Sequence, residues 1–345
     1  MDKFEKLSSK PWLSGPTRQH FVPKFYLEGF TSRGWLAVFD RASGELRKQR
    51  PKNVAVVSNL YTFEDKQDRK RFDLEVLFGQ IESAGAPILK SLVEGKRISS
   101  EDRETFSIFL GIAAVRTPAA IAEASSVYAG FVKANSYLTL TDETRVFDHL
   151  LRMEGADVDH SLLKEQASAV AKMAREESYD VQVDHGYSRS RSLKVWHIVA
   201  KELLKRDWMI LHAPEDGQSF LTSDSPVVLM SRSTATRNLP IGYGSPHAQI
   251  LFPLTSKYAL VASGSLGRTG RCDIKVDDLR RFNMNVAQNC HKHVMGSDAA
   301  LLESITTELG LAGTEWQPKS YVEIERFVNA NGSVTPGASV KRKGL

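Results

Sequence analysis

The amino-acid sequence predicts an α+β fold in which a central helical bundle packs with an N-terminal hairpin and a C-terminal antiparallel β-meander. Three observations predict it. Residues 17–70 carry short extended runs bounded by turn residues; residues 71–206 carry apolar residues at helical spacing; residues 207–312 return to short apolar runs broken by Gly, Pro, Asp and Ser. Strands, helices and strands in blocks, without regular alternation, fit α+β rather than a doubly wound sheet.

Taken in order, residues 1–16 mix Ser, Pro, Gly and charges without periodicity and are expected as a mobile tail. "GWLAVFDRASGELRKQR" reads as a hairpin turning at "RASG", and "NLYTF" as a further short strand. Leu74, Leu77, Phe78 and Ile81 predict a helix over Phe72–Val93 with a break or kink at Pro87. "SSEDRE" opens the next helix, whose inner stripe is Phe106, Phe109, Leu110 and Ala113. Further helices are expected near Glu143–Met153, His160–Glu177 and Arg189–Lys205. After Arg206 come the strand-like runs "DWMILHAP", "SFLTS", "PVVLMS", "QILFPL" and "KYALVAS". Helices near Val276–Gln288 and Asp298–Gly310 then flank the strand "HVMG". Residues 313–345 are a C-terminal extension with a basic tail, mobile from Asn331, which leaves 17–312 as one structural unit.

Composition bounds the class. An apolar share of 41% with 25% charged residues fits an ordinary folded chain, neither disordered nor membrane-spanning. The longest apolar run, Phe106–Val115, is about half of the roughly 20 residues a spanning helix needs. "MDKFEKLSSKPWLSGP" lacks the apolar core of a signal peptide, so the expected location is the cytoplasm. Cys272 and Cys290 are too few for a disulfide framework and are expected as reduced thiols. A net charge of +5 permits a nucleic acid or nucleotide partner without demanding one.

Chemistry concentrates first in "TRQHFVPKFYLEGFT". Pro23 pushes Val22 toward an extended backbone, so the stretch should begin extended and then turn into Tyr26, Leu27 and Phe30, with Gln19 and His20 beside aromatics. A histidine there is either a hydrogen-bonded core corner or an acid–base group whose pKa moves with its surroundings. "QHFVPKFYLEGF" resembles the signature of an uncharacterised bacterial and phage family, the domain-of-unknown-function family 4238, marked by an HHYVP-type motif followed by YL and F. The matching residues are His20, Val22, Pro23, Tyr26, Leu27 and Phe30. Gln19 stands where the family has its first histidine and Phe21 where it has tyrosine, which removes the adjacent imidazoles that metal chelation would use. The resemblance continues through "NLYTF", the helix with Glu75 and Glu82, "VRTPAA", "FLTSDSPVV" and "FPLTSKYALV". It implies one evolutionary unit with a shared site and brings no reaction with it.

Arg116 follows Ala113 by three residues and Phe109 by seven, on the buried stripe of its helix. A guanidinium there needs an anion: Glu75, Glu82 or Asp224, or a bound phosphate or carboxylate. Ser223 and Asp224 lie in a polar turn between apolar runs, read either as an Asx turn or as groups presented to a pocket. Glu75 and Glu82, seven apart, share a helix face and could divide acid and base roles or hold a divalent metal with a histidine; the plainer reading is one solvated and one ion-paired glutamate. His291 and His293 would face one way on a strand, which is either a metal pair or an ordinary strand end. Arg189, Arg191, Lys194, Lys201 and Lys205 form a basic stripe, read as a nucleic-acid track or a solvated face.

The resulting expectation is a polar pocket with His20, Arg116 and Asp224 as catalytic residues and Gln19, Tyr26, Glu82 and Ser223 as binding residues. Those residue types suit a nuclease-like hydrolase of phosphodiesters or nucleotides, of the kind found in phage-defence or toxin components. The alternative is a binding or sensor protein that recognises an anionic ligand or phage component without turnover.

Overall fold

The computed structural model describes residues 11–155, 158–215, 218–232, 241–328 and 334–342, so most of the expected N-terminal tail lies outside the described residues. After β1 (Arg18–His20) and α1 (Lys24–Glu28) comes the hairpin β2 (Leu36–Asp40) and β3 (Leu46–Gln49), then β4 (Val56–Ser58), β5 (Phe63–Glu64) and β6 (Lys70–Arg71). The middle holds α2 (Asp73–Val93), α3 (Ser100–Val115), α4 (Pro118–Leu140), α5 (Glu143–Glu154), α6 (His160–Glu176), α7 (His185–Lys194) and α8 (Trp196–Lys205). Next come β7 (Asp207–His212), β8 (Thr222–Ser223), β9 (Val228–Ser231), β10 (Ala248–Pro253), β11 (Tyr258–Ser263) and β12 (Thr269–Asp273). The chain closes with α9 (Val276–Gln288), β13 (His293–Gly296), α10 (Ala299–Glu308), β14 (Ser320–Val328) and β15 (Val334–Arg342). The fold is α+β.

Two compact units divide the chain, one containing residues up to Ile121 with Arg189–Gln317, the other Ala122–Ser188 with Pro318–Arg342. In the first, the expected meander is a five-stranded sheet of order β12-β7-β11-β10-β9, antiparallel except where β12 runs parallel to β7. The short β8 leaves it for a second sheet, β3-β2-β13-β8. The helix α3 is buried almost all round, with Phe106 stacked on Phe109 at 5.4 Å and edge-on to Trp208 at 5.9 Å. Gly111 lets α8 approach: a Cβ there would stand 2.7 Å from the Trp196 carbonyl oxygen. In the second unit α5 and α6 pair, with Arg175 on Glu143 at 2.9 Å. There Glu123 accepts the backbone N–H groups of Lys319 and Ser320 at 2.9 and 2.8 Å and so anchors the start of β14.

Three expectations are corrected and one helix gains its bounds. The helix α2 runs through Pro87 without ending, because Phe78, Ile81, Ile88 and Leu89 bury both of its halves against the same core. The helix α4 falls inside the helical region expected over 71–206, which sets no bounds for it; Pro118 occupies its first helical position, where a missing N–H costs nothing. The single helix expected over Arg189–Lys205 is two, separated at Val195. The stretch from Asn331 includes a strand, β15, paired with β14 along its length. Among the described residues this ribbon has two strands, so Pro336 and Gly337 sit in an edge strand, where both are tolerated. Among the described residues no single helix is long and apolar enough to cross a membrane.

Ser99 and Asp102 form a reciprocal capping box at the start of α3, each side chain bonded to the other's backbone N–H at 3.0 Å. Ser99→Ala is expected to lower unfolding free energy by about 1 kcal/mol, read as a shift of the urea midpoint at unchanged slope.

Candidate functional site

The motif around His20 divides its labour. Val22, Tyr26, Leu27 and Phe30 are buried and fix the segment in the core. Pro23 ends the extended stretch and leads into α1. Gln19 is wholly buried: its amide nitrogen donates to the Pro16 carbonyl at 3.2 Å and the Thr62 hydroxyl at 3.0 Å, and its oxygen accepts the Tyr61 N–H at 2.6 Å. It is a clamp between β1 and residues 61–62. His20 pairs across the ribbon with Val56, half-buried at the edge.

Arg116 caps the C-terminus of α3 with 1% of its surface exposed. Its Nε donates to the Phe21 carbonyl at 3.0 Å and its Nη1 meets Glu82 Oε1 at 2.8 Å. The remaining nitrogen, Nη2, is buried with no hydrogen-bond partner. Tyr61 closes the turn by donating its hydroxyl to the Arg116 carbonyl at 2.7 Å, and the guanidinium lies 5.3 Å from the Phe78 ring. Of the three carboxylates open to it on sequence grounds, Arg116 therefore takes Glu82.

Two titrating groups flank this pair. Glu75, two turns before Glu82 on α2, has its pKa raised to about 7 by burial, with the Glu82 charge adding and Arg116 opposing. His20 is shifted the other way: burial lowers its pKa, and the Glu82 charge only partly offsets this. The His20 ring lies against the backbone carbonyls of Pro51 and Lys52, while its Nε2 is buried without a partner.

Glu82 is the link between these groups: it pairs with Arg116, and its charge acts on both His20 and Glu75. Asp224 is engaged elsewhere: its carboxylate accepts the N–H groups of His291, Lys292 and His293 at 2.8, 2.7 and 2.9 Å. Ser223 accepts the Ser225 N–H at 3.2 Å. Tyr26 shares a 2.7 Å hydrogen bond with Thr222 and stacks on Phe252. His293 Nε2 stands 3.2 Å from Asp40, whereas His291 packs edge-on against Trp316. Among the described residues, no three His, Cys, Asp or Glu side chains are grouped to hold a metal ion. On the basic stripe, Arg189 donates to the carbonyls of Leu60 and Thr62, and Lys205 pairs with Glu202 at 2.8 Å. Lys194 and Lys201 are exposed and Arg191 is half-buried. Glu75 was marked by its seven-residue spacing to Glu82; Tyr61 carried no signal beyond an aromatic in "NLYTF".

Over residues 18–300 the chain matches the family described as Protein of unknown function (DUF4238). The chain belongs to this family. His20, Glu75, Glu82 and Arg116 all lie within the DUF4238 span. No curated protein and no solved structure matches the chain.

Between pH 4.5, the ordinary glutamate value, and about 7, the folded protein holds a proton on Glu75 that the unfolded chain releases. This residue therefore makes stability fall as pH rises through that window. Glu75→Gln is expected to melt with wild type at about pH 4 and several degrees above it at about pH 8, measured by circular dichroism; equal melting at both values would contradict the placement. Asp224→Asn, which disrupts three half-buried bonds, is expected to cost on the order of 2 kcal/mol in urea unfolding while leaving the Glu75 pH dependence intact.

Proposed function

We propose that the protein is a hydrolase of phosphodiesters or nucleotides, with its reacting group held between Arg116 and His20. The observation that carries this reading is a pair of buried nitrogens without partners, His20 Nε2 and Arg116 Nη2, in one cluster with Glu82 and Glu75. Burying such groups unpaired is costly, and an anion bearing an acceptor oxygen and a nearby hydroxyl or water would satisfy both.

In this reading Arg116 Nη2 donates to a phosphoryl oxygen, as guanidinium groups do in anion recognition. Neutral His20 takes a proton from the attacking water at Nε2 as the new P–O bond forms. The leaving oxygen departs with a proton from Glu75. A bound anion raises the proton affinity of Glu75 further, so substrate arrival itself supplies the acid. Proton return from His20 to solvent and from solvent to Glu75 resets the site. Glu82 holds Arg116 in place and keeps the cluster near neutral when empty.

A binding role without turnover is the second reading. It is favoured by the occupancy of the guanidinium, two of whose three nitrogens already serve Glu82 and the Phe21 carbonyl.

Wild type, His20→Asn, Glu75→Gln and Arg116→Lys would be incubated with labelled DNA, RNA and nucleotides, with and without magnesium or manganese. His20→Asn and Glu75→Gln are expected to lower turnover at least about 100-fold with cooperative melting retained, and Arg116→Lys to raise KM. Binding with no turnover by wild type under every condition would overturn the hydrolase reading in favour of the second.

A further inference from the structure

The hairpin that precedes His20's neighbours carries an aromatic and basic surface that the site chemistry does not use. Ser32 and Trp35 bridge a two-residue turn, exchanging backbone bonds at 2.8 and 3.0 Å around Arg33 and Gly34, both with positive φ (50° and 75°). Two positive φ values in succession describe the tight primed turn that suits a hairpin's twist. The turn projects Trp35, a large apolar side chain left 42% exposed.

Arg50 stands over it. Its guanidinium carbon stands 4.0 Å from the Trp35 ring centre, and its Nη1 donates to the Gly34 carbonyl at 3.0 Å. A Cβ at Gly34 would stand 2.7 Å from that nitrogen, so this seat needs glycine for space as well as for φ. A cation thus stands over the indole, which keeps 42% of its surface exposed.

Depressions lie on both sides of this stack. One, of about 600 Å³, is lined by Arg33, Trp35 and Lys48 together with Asp298. The other, of about 310 Å³, is lined by Lys24, Glu28, Arg50 and Lys52. Both acidic residues are already engaged, Asp298 with the N–H groups of Ala300 and Leu301 and Glu28 with Lys24 at 3.3 Å. Arg33, Lys48 and Lys52 are exposed and form no ion pair among the described residues. The short 3₁₀ turn Pro51–Asn53 follows Arg50 directly, and its Pro51 and Lys52 carbonyls face the His20 ring.

We propose that this surface binds single-stranded nucleic acid, with a base stacked on the exposed Trp35 ring and the backbone phosphates on Arg33, Lys48 and Lys52. An aromatic platform inside a basic track is what unpaired bases require, since every base has a stacking face that a duplex hides. A lipid surface or an acidic protein would use the charges without needing an indole backed by a guanidinium. The inference deepens the hydrolase reading by naming its polymer, because the track ends at the residues that hold His20.

The test is fluorescence anisotropy of labelled oligo-dT and oligo-U with the full chain carrying His20→Asn, so that cleavage does not interfere. Trp35→Ala in this background is expected to weaken binding about ten-fold or more. The pair Lys48→Glu and Lys52→Glu is expected to flatten the plot of log affinity against log salt by about 0.7 per lost phosphate contact. A duplex of the same sequence should bind more weakly and without dependence on Trp35. Equal affinity of the Trp35→Ala chain for single strands overturns the proposal, as does retention on phosphatidylserine vesicles with no measurable oligonucleotide binding. Trp35-dependent binding by a wild-type chain that hydrolyses nothing would remove the hydrolase reading and leave this one standing. Turnover of nucleotides with Trp35-independent binding would do the reverse.

Discussion

A guanidinium buried at the end of a core helix is the constraint around which the first unit is arranged. Taking Arg116 out of water costs several kcal/mol unless its nitrogens find partners. The chain supplies them from two directions: Glu82 from α2 and the Phe21 carbonyl from the N-terminal motif. Tyr61 then caps the same turn through its hydroxyl, and Gln19 holds the Tyr61 backbone. A single charged side chain thereby joins β1, α2, α3 and the loop after β4. The motif at residues 19–30 is in this sense half core anchor and half wall of a polar cluster.

That arrangement leaves two shifted groups facing one ion pair. Burial acts on both and moves them oppositely, raising Glu75 and lowering His20, because it disfavours whichever form is charged. Near neutral pH a proton-bearing carboxyl and a free imidazole nitrogen coexist within one site. Water alone would give the opposite assignment, an ionised glutamate beside a partly protonated histidine. In the second histidine region burial likewise lowers His291 and His293, but Asp224 accepts three backbone N–H groups and His293 stands 3.2 Å from Asp40.

Much of this was legible in the sequence, and the rest was hidden for identifiable reasons. Helical spacing marked α2, α3, α5, α6 and α9, whose apolar faces dominate their windows. The position of Arg116 relative to Phe109 and Ala113 announced a buried charge, and the seven-residue spacing of Glu75 and Glu82 announced a shared face. Which carboxylate would take the guanidinium depends on helix packing, not on spacing. Asp224 has partners 67 to 69 residues downstream, a separation that no local pattern reveals. Proline misled at Pro87 inside α2, because its effect depends on its surroundings as well as its place in the helix, whereas Pro118 opens α4 at the position that suits it. The Arg50–Trp35 stack went unseen since fifteen residues and a hairpin turn separate its members.

The third nitrogen of Arg116 decides whether the cluster holds an anion. A high-resolution crystal structure with orthovanadate, a phosphoryl mimic, tests it most directly. The account predicts the anion bonded to Arg116 Nη2 at roughly 2.7–2.9 Å, with another of its oxygens on His20 Nε2 and Glu75 close enough to donate. A crystal in which Nη2 is met by a protein oxygen, with the anion absent from the cluster and His20 facing away, would contradict it.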